Sequence, residues 1–167
     1  MWSGEKTGTN CVDYVRGAPS PELDQAQVDD ALEQAIRHTR RPSGRTYWDL
    51  MRGFQDVMFK PQVGLRKTEE SQERGLKKLL AFRDNELPSL FAPNPHEVVK
   101  ALELENMVQV AELYFKASML RTESRYSHRN MDYPLRDNEN WLKFINWQRD
   151  KNGSLIRSFE AVPPVRS

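Results

Sequence analysis

Apolar and polar positions along the chain point first to one long helix. Val98, Val99, Leu102, Leu104, Met107, Val108, Val110, Ala111, Leu113, Tyr114, Phe115, Ala117, Met119 and Leu120 recur without a clean polar face. A helix that is apolar over most of its circumference belongs at a centre, with other helices packed around it. Asn94-Pro95-His96-Glu97 reads as its start, with Asn94 as N-cap, Pro95 at the first helical position and Glu97 closing a capping box. Carried through Thr122, such a helix is on the order of 45 Å long at 1.5 Å per residue.

Shorter amphipathic stretches precede it. Val28, Ala31, Leu32, Ala35 and Ile36 fall on one face and predict a helix over about 25–38. Thr46-Tyr47-Trp48-Asp49 is a second capping-box pattern, and Tyr47, Leu50, Met51, Phe54, Val57 and Met58 keep the helical period over 46–59. Lys60-Pro61-Gln62-Val63-Gly64 interrupts that period. Thr68 followed by Glu69 and Glu70 opens a further helix over 68–86, carried by Gly75, Leu76, Leu79, Leu80 and Phe82. After Trp141 the pattern turns to aromatic and β-branched residues, and Asp150-Lys151-Asn152-Gly153 is a hairpin turn before a second strand from Ser154 to Val162. A lone hairpin is marginal in water, so it should rest on the helices or on a partner. The fold class is therefore mainly α: a helical bundle of three or four helices around one long central helix, followed by a C-terminal β-hairpin. Boundaries fall at 17–24 (a Gly-, Pro- and Ser-rich linker), 25–140 (bundle and polar loop), 141–162 (hairpin) and 163–167 (tail). The linker is preceded by a helical stretch over 1–16, in which Gly4 and Gly8 suggest close packing on something or a frayed terminal helix.

A chain of 167 residues is long enough for one domain with a real core. Its net charge of +1 offers no basic excess for nucleic acid. Lys100, Glu103, Glu105, Glu112 and Lys116 break the longest apolar run, so no membrane span is expected. The segment from Met1 to Lys6 lacks the apolar core of a signal peptide. The single cysteine, Cys11, excludes an intrachain disulfide and fits a reducing, cytoplasmic setting.

Candidate chemistry is sparse. No Gly-x-Gly-x-x-Gly follows a strand and no Walker loop occurs. His38, His96 and His128 are scattered, which speaks against a metal site. Arg37, His38, Arg40 and Arg41 crowd one helix end, where a solvated terminus is a better reading than a phosphate patch. Nothing activates Ser124 or Ser127 as a nucleophile. What stands out is the loop after the long helix, where Arg121, Glu123, Arg125, His128, Arg129 and Asp132 are interleaved with Tyr126 and Tyr133. Forked arginines there suit an anion or dicarboxylate. A charge network holding the loop against the bundle and a neighbouring domain is favoured, because buried charges are tolerated when paired. Glu123 and Arg125 are too close to face each other on one helix side, so each should pair elsewhere, with Asp137 and Glu139 among the candidates.

The same loop carries a family resemblance. Arg121-x-Glu123-Ser124-Arg125-x-x-His128, then Asp132-Tyr133-Pro134, then Arg136-Asp137-x-Glu139-Asn140-Trp141, resembles the C-terminal domain of the succinate dehydrogenase and fumarate reductase flavoproteins, whose superfamily includes L-aspartate oxidase and adenylylsulfate reductase. The segment from Phe54 to Arg66 resembles a second block of that family, and the resemblance runs from about Gly4 to Val162. One departure is Tyr126, where the family commonly has Gly, so a tight backbone approach there is in question. The resemblance implies that residues 1–16 are a remnant of the last flavin-domain helix and that flavin- and substrate-binding groups lie in upstream domains. No catalytic, cofactor-binding or metal residue is carried over, and no cofactor is expected in this chain, FAD belonging to the parent enzyme. That parent would interconvert saturated and unsaturated dicarboxylates or act on a related substrate, passing electrons through FAD to an iron–sulfur partner. Implied partners are a flavin-binding domain or subunit and an iron–sulfur subunit, with peripheral placement at a membrane through them. An apolar surface beside the loop would lead the isolated domain to form a homodimer. The functional expectation is a C-terminal helical domain of an FAD-dependent oxidoreductase, catalytically silent alone; the alternative is a free-standing helical interaction module without redox activity.

Overall fold

The computed structural model describes residues 2–163, with side chains from Gly4 onward; Met1 and, within the expected tail, residues 164–167 lie outside the described residues. The chain divides into two compact units, 1–35 and 36–167. The first holds α1 (Trp2–Gly17) and nearly all of α2 (Gln25–Ile36). No residue of α2 is buried, and Val28 and Leu32, on the face expected to enter the core, are exposed. The side chains described in α1 are almost all exposed as well, and a Cβ added at Gly4 or Gly8 would meet only open space.

The second unit contains α3 (Tyr47–Met58), the single turn α4 (Pro61–Gly64), α5 (Glu69–Asn85), α6 (Pro95–Leu120), the short α7 (Asn138–Trp141) and the antiparallel strands β1 (Lys143–Arg149) and β2 (Leu155–Ala161). Their starts follow local chemistry. Thr46 with Asp49, and Thr68 with Ser71, form reciprocal capping boxes at α3 and α5. At α6 the Asn94 side chain accepts from the Glu97 amide, an N-cap without the returning half of a box.

The core lies among α3, α5 and α6. Leu50 and Phe54 of α3, Leu79 and Phe82 of α5, and Leu104, Val108 and Phe115 of α6 are its main side chains. Gly75 lets α5 approach α6, since a Cβ there would stand 2.6 Å from the Phe115 ring. Only one stripe of α6 is buried: Ala101, Leu104, Val108, Ala111, Phe115 and Ser118. Met107 and Leu113, expected at the heart of the bundle, are half-buried. Val99 and Val110, on the opposite side by the helical period, are exposed, Val110 at 64%. The helix is thus apolar on two faces and covered on one.

The hairpin pairs Lys143 with Ala161 through to Arg149 with Leu155, turning at Gly153, whose φ of 80° suits the residue without a Cβ. Lys143, Ile145 and Trp147 form its half-buried face, and Phe144 and Ile156 are exposed. Among the described residues no helix is long and apolar enough to cross a membrane.

Candidate functional site

Glu123 is the centre of the polar loop and is fully buried. The helix ends at Leu120 rather than Thr122, and Arg121 already has extended backbone angles. Side chains two residues apart along extended chain project to the same side. Arg121 therefore donates from Nη1 to Glu123 Oε1 at 2.6 Å, and Arg125 grips the same carboxylate with Nε at 2.7 Å and Nη2 at 3.0 Å. The expectation that Glu123 and Arg125 pair elsewhere fails, because it applied helix geometry to a segment that is not helical. Asp137 contributes its backbone amide, 2.8 Å from Glu123 Oε2, rather than its carboxylate. That carboxylate instead caps α7 through the Asn140 amide.

Burial alone would raise the Glu123 carboxyl pKa. The hydrogen bonds from Arg125, the Asp137 amide and Arg121 outweigh it and bring the value down to about 2. Arg121 also donates to the carbonyls of Trp141 at 2.9 Å and Lys143 at 3.0 Å, and its guanidinium lies over the Trp141 ring. Arg125 reaches Asn138 Oδ1 at 2.7 Å. One carboxylate thus gathers the end of α6, the loop, α7 and the start of β1.

The chain reverses at Tyr126-Ser127, closed by mutual backbone hydrogen bonds between Arg125 and His128. Tyr126 has a φ of 50°, the only positive value at a non-glycine residue among those described, and its side chain is exposed. The first central position of such a two-residue loop favours Gly, which gives the family's usual residue there a physical basis. His128 lies 3.3 Å from the Arg121 carbonyl through Nε2 and 3.3 Å from Lys67 Nζ through Nδ1. Burial and then the Lys67 charge push its pKa down, so the ring is neutral with its proton on Nε2.

The remaining two loop residues serve a second anchor. Asp132 Oδ2 accepts from the Glu69 amide at 2.7 Å, placing negative charge at the N-terminus of α5. Arg129 is held by its carbonyl, which accepts from the Lys67 amide, and its side chain is exposed. The Ser124 hydroxyl is spent on the Asn130 and Tyr133 carbonyls and the Asn130 amide, consistent with no nucleophilic role. Lys67 and Asn130, both buried and both structural partners of this loop, carried no signal in the sequence. In the basic cluster at 37–41, Arg37 and Arg40 are exposed as expected of a solvated end, but Arg37 pairs with Glu105, His38 is buried against the same carboxylate at 3.2 Å, and Arg41 binds the Pro88 carbonyl.

Phosphate groups of a flavin nucleotide want open helix N-termini and a close glycine-rich turn. Here the N-termini of α3, α5 and α6 are filled by Thr46 and Asp49, by Thr68 and Asp132, and by Asn94. The described strands form only an antiparallel hairpin. The starts of α3, α5 and α6 therefore do not fit the phosphates of a flavin nucleotide. Nor does any cluster of His, Cys, Asp or Glu among the described residues suit a metal ion.

Comparison with known proteins gives this geometry its context. The succinate dehydrogenase flavoprotein subunit of Coxiella burnetii is 26% identical over 125 residues, covering 72% of this chain and 21% of its own length. The L-aspartate oxidase of Yersinia pestis is 32% identical over 115 residues, covering 68% of this chain and 19% of its own. Among solved structures, the Mycobacterium smegmatis Sdh1 complex superposes with a TM-score of 0.81 at 24% identity, over 95% of this chain and 28% of that one. Adenylylsulfate reductase from Archaeoglobus fulgidus gives a TM-score of 0.77 at 22% identity, over 91% and 27%. The chain therefore spans about a fifth of these curated relatives and just over a quarter of these solved chains. A family model described as the fumarate reductase flavoprotein C-terminus matches residues 51–163, from within α3 past the end of the hairpin, and the chain belongs to that family.

Proposed function

We propose that this chain is the C-terminal helical domain of an FAD-dependent oxidoreductase of the succinate dehydrogenase and fumarate reductase type, catalytically silent alone, and that it docks on a flavin-binding domain or subunit. Beyond the family match, one observation carries the docking role. Val99 and Val110 are exposed on the side of α6 opposite its buried stripe. A helix apolar all round is normally covered on every side, and exposed apolar patches mark interaction surfaces. The Glu123 network keeps the adjoining loop in one shape, as a docking surface requires. FAD belongs to the parent enzyme in this reading. An iron–sulfur subunit and peripheral attachment to a membrane through partner subunits follow from the same parentage, and the isolated domain would pair with itself through the uncovered face. The free-standing module is disfavoured, because Val99 and Val110 stay uncovered among the described residues of the second unit.

The test is twofold. FAD titrated against the 167-residue chain should show no quenching of flavin fluorescence, and the chain should co-elute with its cognate flavin-binding domain. Val110→Lys should abolish co-elution while leaving the circular dichroism spectrum unchanged. Stoichiometric flavin in the purified chain, or unimpaired co-elution of Val110→Lys, would refute the proposal.

A further inference from the structure

A cleft of about 380 Å³ opens between the C-terminal half of α6 and the start of β1. Lys67, Tyr114, Ala117, Ser118, Phe144 and Ile145 are among its lining residues. Two of them are buried polar groups whose bonding is incomplete. Lys67 is 3% exposed, yet no carboxylate lies within ion-pair reach among the described residues. Its ammonium meets only the neutral His128 ring at 3.3 Å and the face of Tyr114, 4.9 Å from the ring centre. Ser118 is 6% exposed, and its Oγ has no hydrogen-bond partner.

Both deficits are costly. A buried ammonium wants a counter-charge, and an unpaired buried hydroxyl keeps its desolvation penalty. A lysine has three donors, and one imidazole nitrogen satisfies one of them. Arg121 directs three donors to Glu123 and to the carbonyls of Trp141 and Lys143. The Lys143 ammonium rests over the rings of Trp141 and Phe159. The buried Lys67 ammonium calls for an anionic group, and Tyr114, Ala117, Phe144 and Ile145 give the cleft an apolar wall beside the polar Arg121, His128 and Lys143.

We infer that this cleft binds a single carboxylate carried on a short apolar body, with Lys67 and Ser118 as the groups that recognise the carboxylate. The carboxylate bridges the Lys67 ammonium and the Ser118 hydroxyl, and the apolar body lies against Phe144 and Ile145. The cleft borders the Glu123 network through Arg121, while Lys67 and Ser118 make no bond to Glu123. It depends on no feature of the flavin enzyme, so it stands or falls apart from the docking role.

Sodium butyrate is a suitable probe, with n-butylamine and inorganic phosphate as controls at matched ionic strength. Nitrogen-15 NMR of the 167-residue chain should show saturable shifts at Lys67, Ser118 and His128 with butyrate and none with either control. Lys67→Met should weaken butyrate binding by at least about tenfold, the size of a charge-assisted hydrogen bond. Ser118→Ala, a small change on a folded helix, should weaken it by a smaller factor and keeps the test decisive if the lysine variant fails to fold. Absence of saturable butyrate shifts overturns the inference. So does phosphate binding as tightly as butyrate, or Ser118→Ala and a folded Lys67→Met both binding butyrate as the parent chain does.

Discussion

The side chains of Phe115 and Glu123 are both sealed from solvent, one in the helical core and the other in the loop just beyond it. Phe115 is held by shape alone, packed against Gly75 of α5 at the closest approach of two helices. Glu123 is held by direction, with four donors from Arg121, Arg125 and Asp137 converging on its two oxygens. Apolar burial draws on area and fit, so its energy is spread over many weak contacts. Polar burial concentrates its energy in a few bonds, and removing one partner strands the others. Two neighbouring segments can therefore be equally buried and respond to opposite perturbations.

Phe115→Ala should show the largest effect, destabilising the chain by about 3–5 kcal/mol through lost burial and the cavity left behind. Urea unfolding at neutral pH would measure it, and the loss should be insensitive to salt. A loss under about 1 kcal/mol would mean that α5 collapses onto the gap and that packing at Gly75 is not the constraint it looks to be.

Glu123→Gln should come next, at about 3 kcal/mol, because it leaves two part-buried guanidinium groups without their counter-charge. This variant also has a pH signature. The Glu123 carboxyl drops from its ordinary 4.5 to about 2 on folding, so the folded chain holds fewer protons in that window. Its stabilisation is present above pH 4.5 and is lost as pH falls toward 2, a difference of about 3 kcal/mol. Denaturation midpoints between pH 5 and 2 should fall less steeply in Glu123→Gln than in the parent, whereas Phe115→Ala should keep the parental slope. Equal slopes in all three proteins would erase the contrast.

The smallest effect is expected at Tyr126. Relieving its positive φ with Tyr126→Gly should stabilise the chain by up to about 1 kcal/mol, the αL penalty set against glycine's greater freedom when unfolded. A clear loss in the same urea titration would show that the exposed tyrosine ring is held by contacts worth more than the strain.

Much of this contrast was legible from the residues. Thr46, Thr68 and Asn94 marked three helix starts because capping is a local bond between near neighbours. Asn152-Gly153 marked the hairpin turn for the same local reason. The loop residues that matter were also visible as a cluster, but not their pairing, since that depended on where α6 ends. The two-residue difference between Thr122 and Leu120 changed the geometry from helical to extended and with it the partner of Glu123. Periodicity likewise predicted an apolar face on α2, but a pattern states which side chains would prefer burial and not whether anything in the same chain supplies it. Lys67 was invisible, because its burial arises from contacts with Tyr114 and His128, both remote in sequence.

Arg121 has a mechanical consequence. Its guanidinium is clamped at once to Glu123 and to the carbonyls of Trp141 and Lys143, so the first residue of β1 is tethered to the last turn of α6 by one side chain. The hairpin contributes no residue to the apolar core. Under a pulling load on the C-terminus, force would enter the helices through that rivet, and the hairpin would peel away in one step when it let go. Amide protons along β1 and those around Glu123 would then exchange with solvent at a common opening rate, as one small foldon hinged on a single arginine.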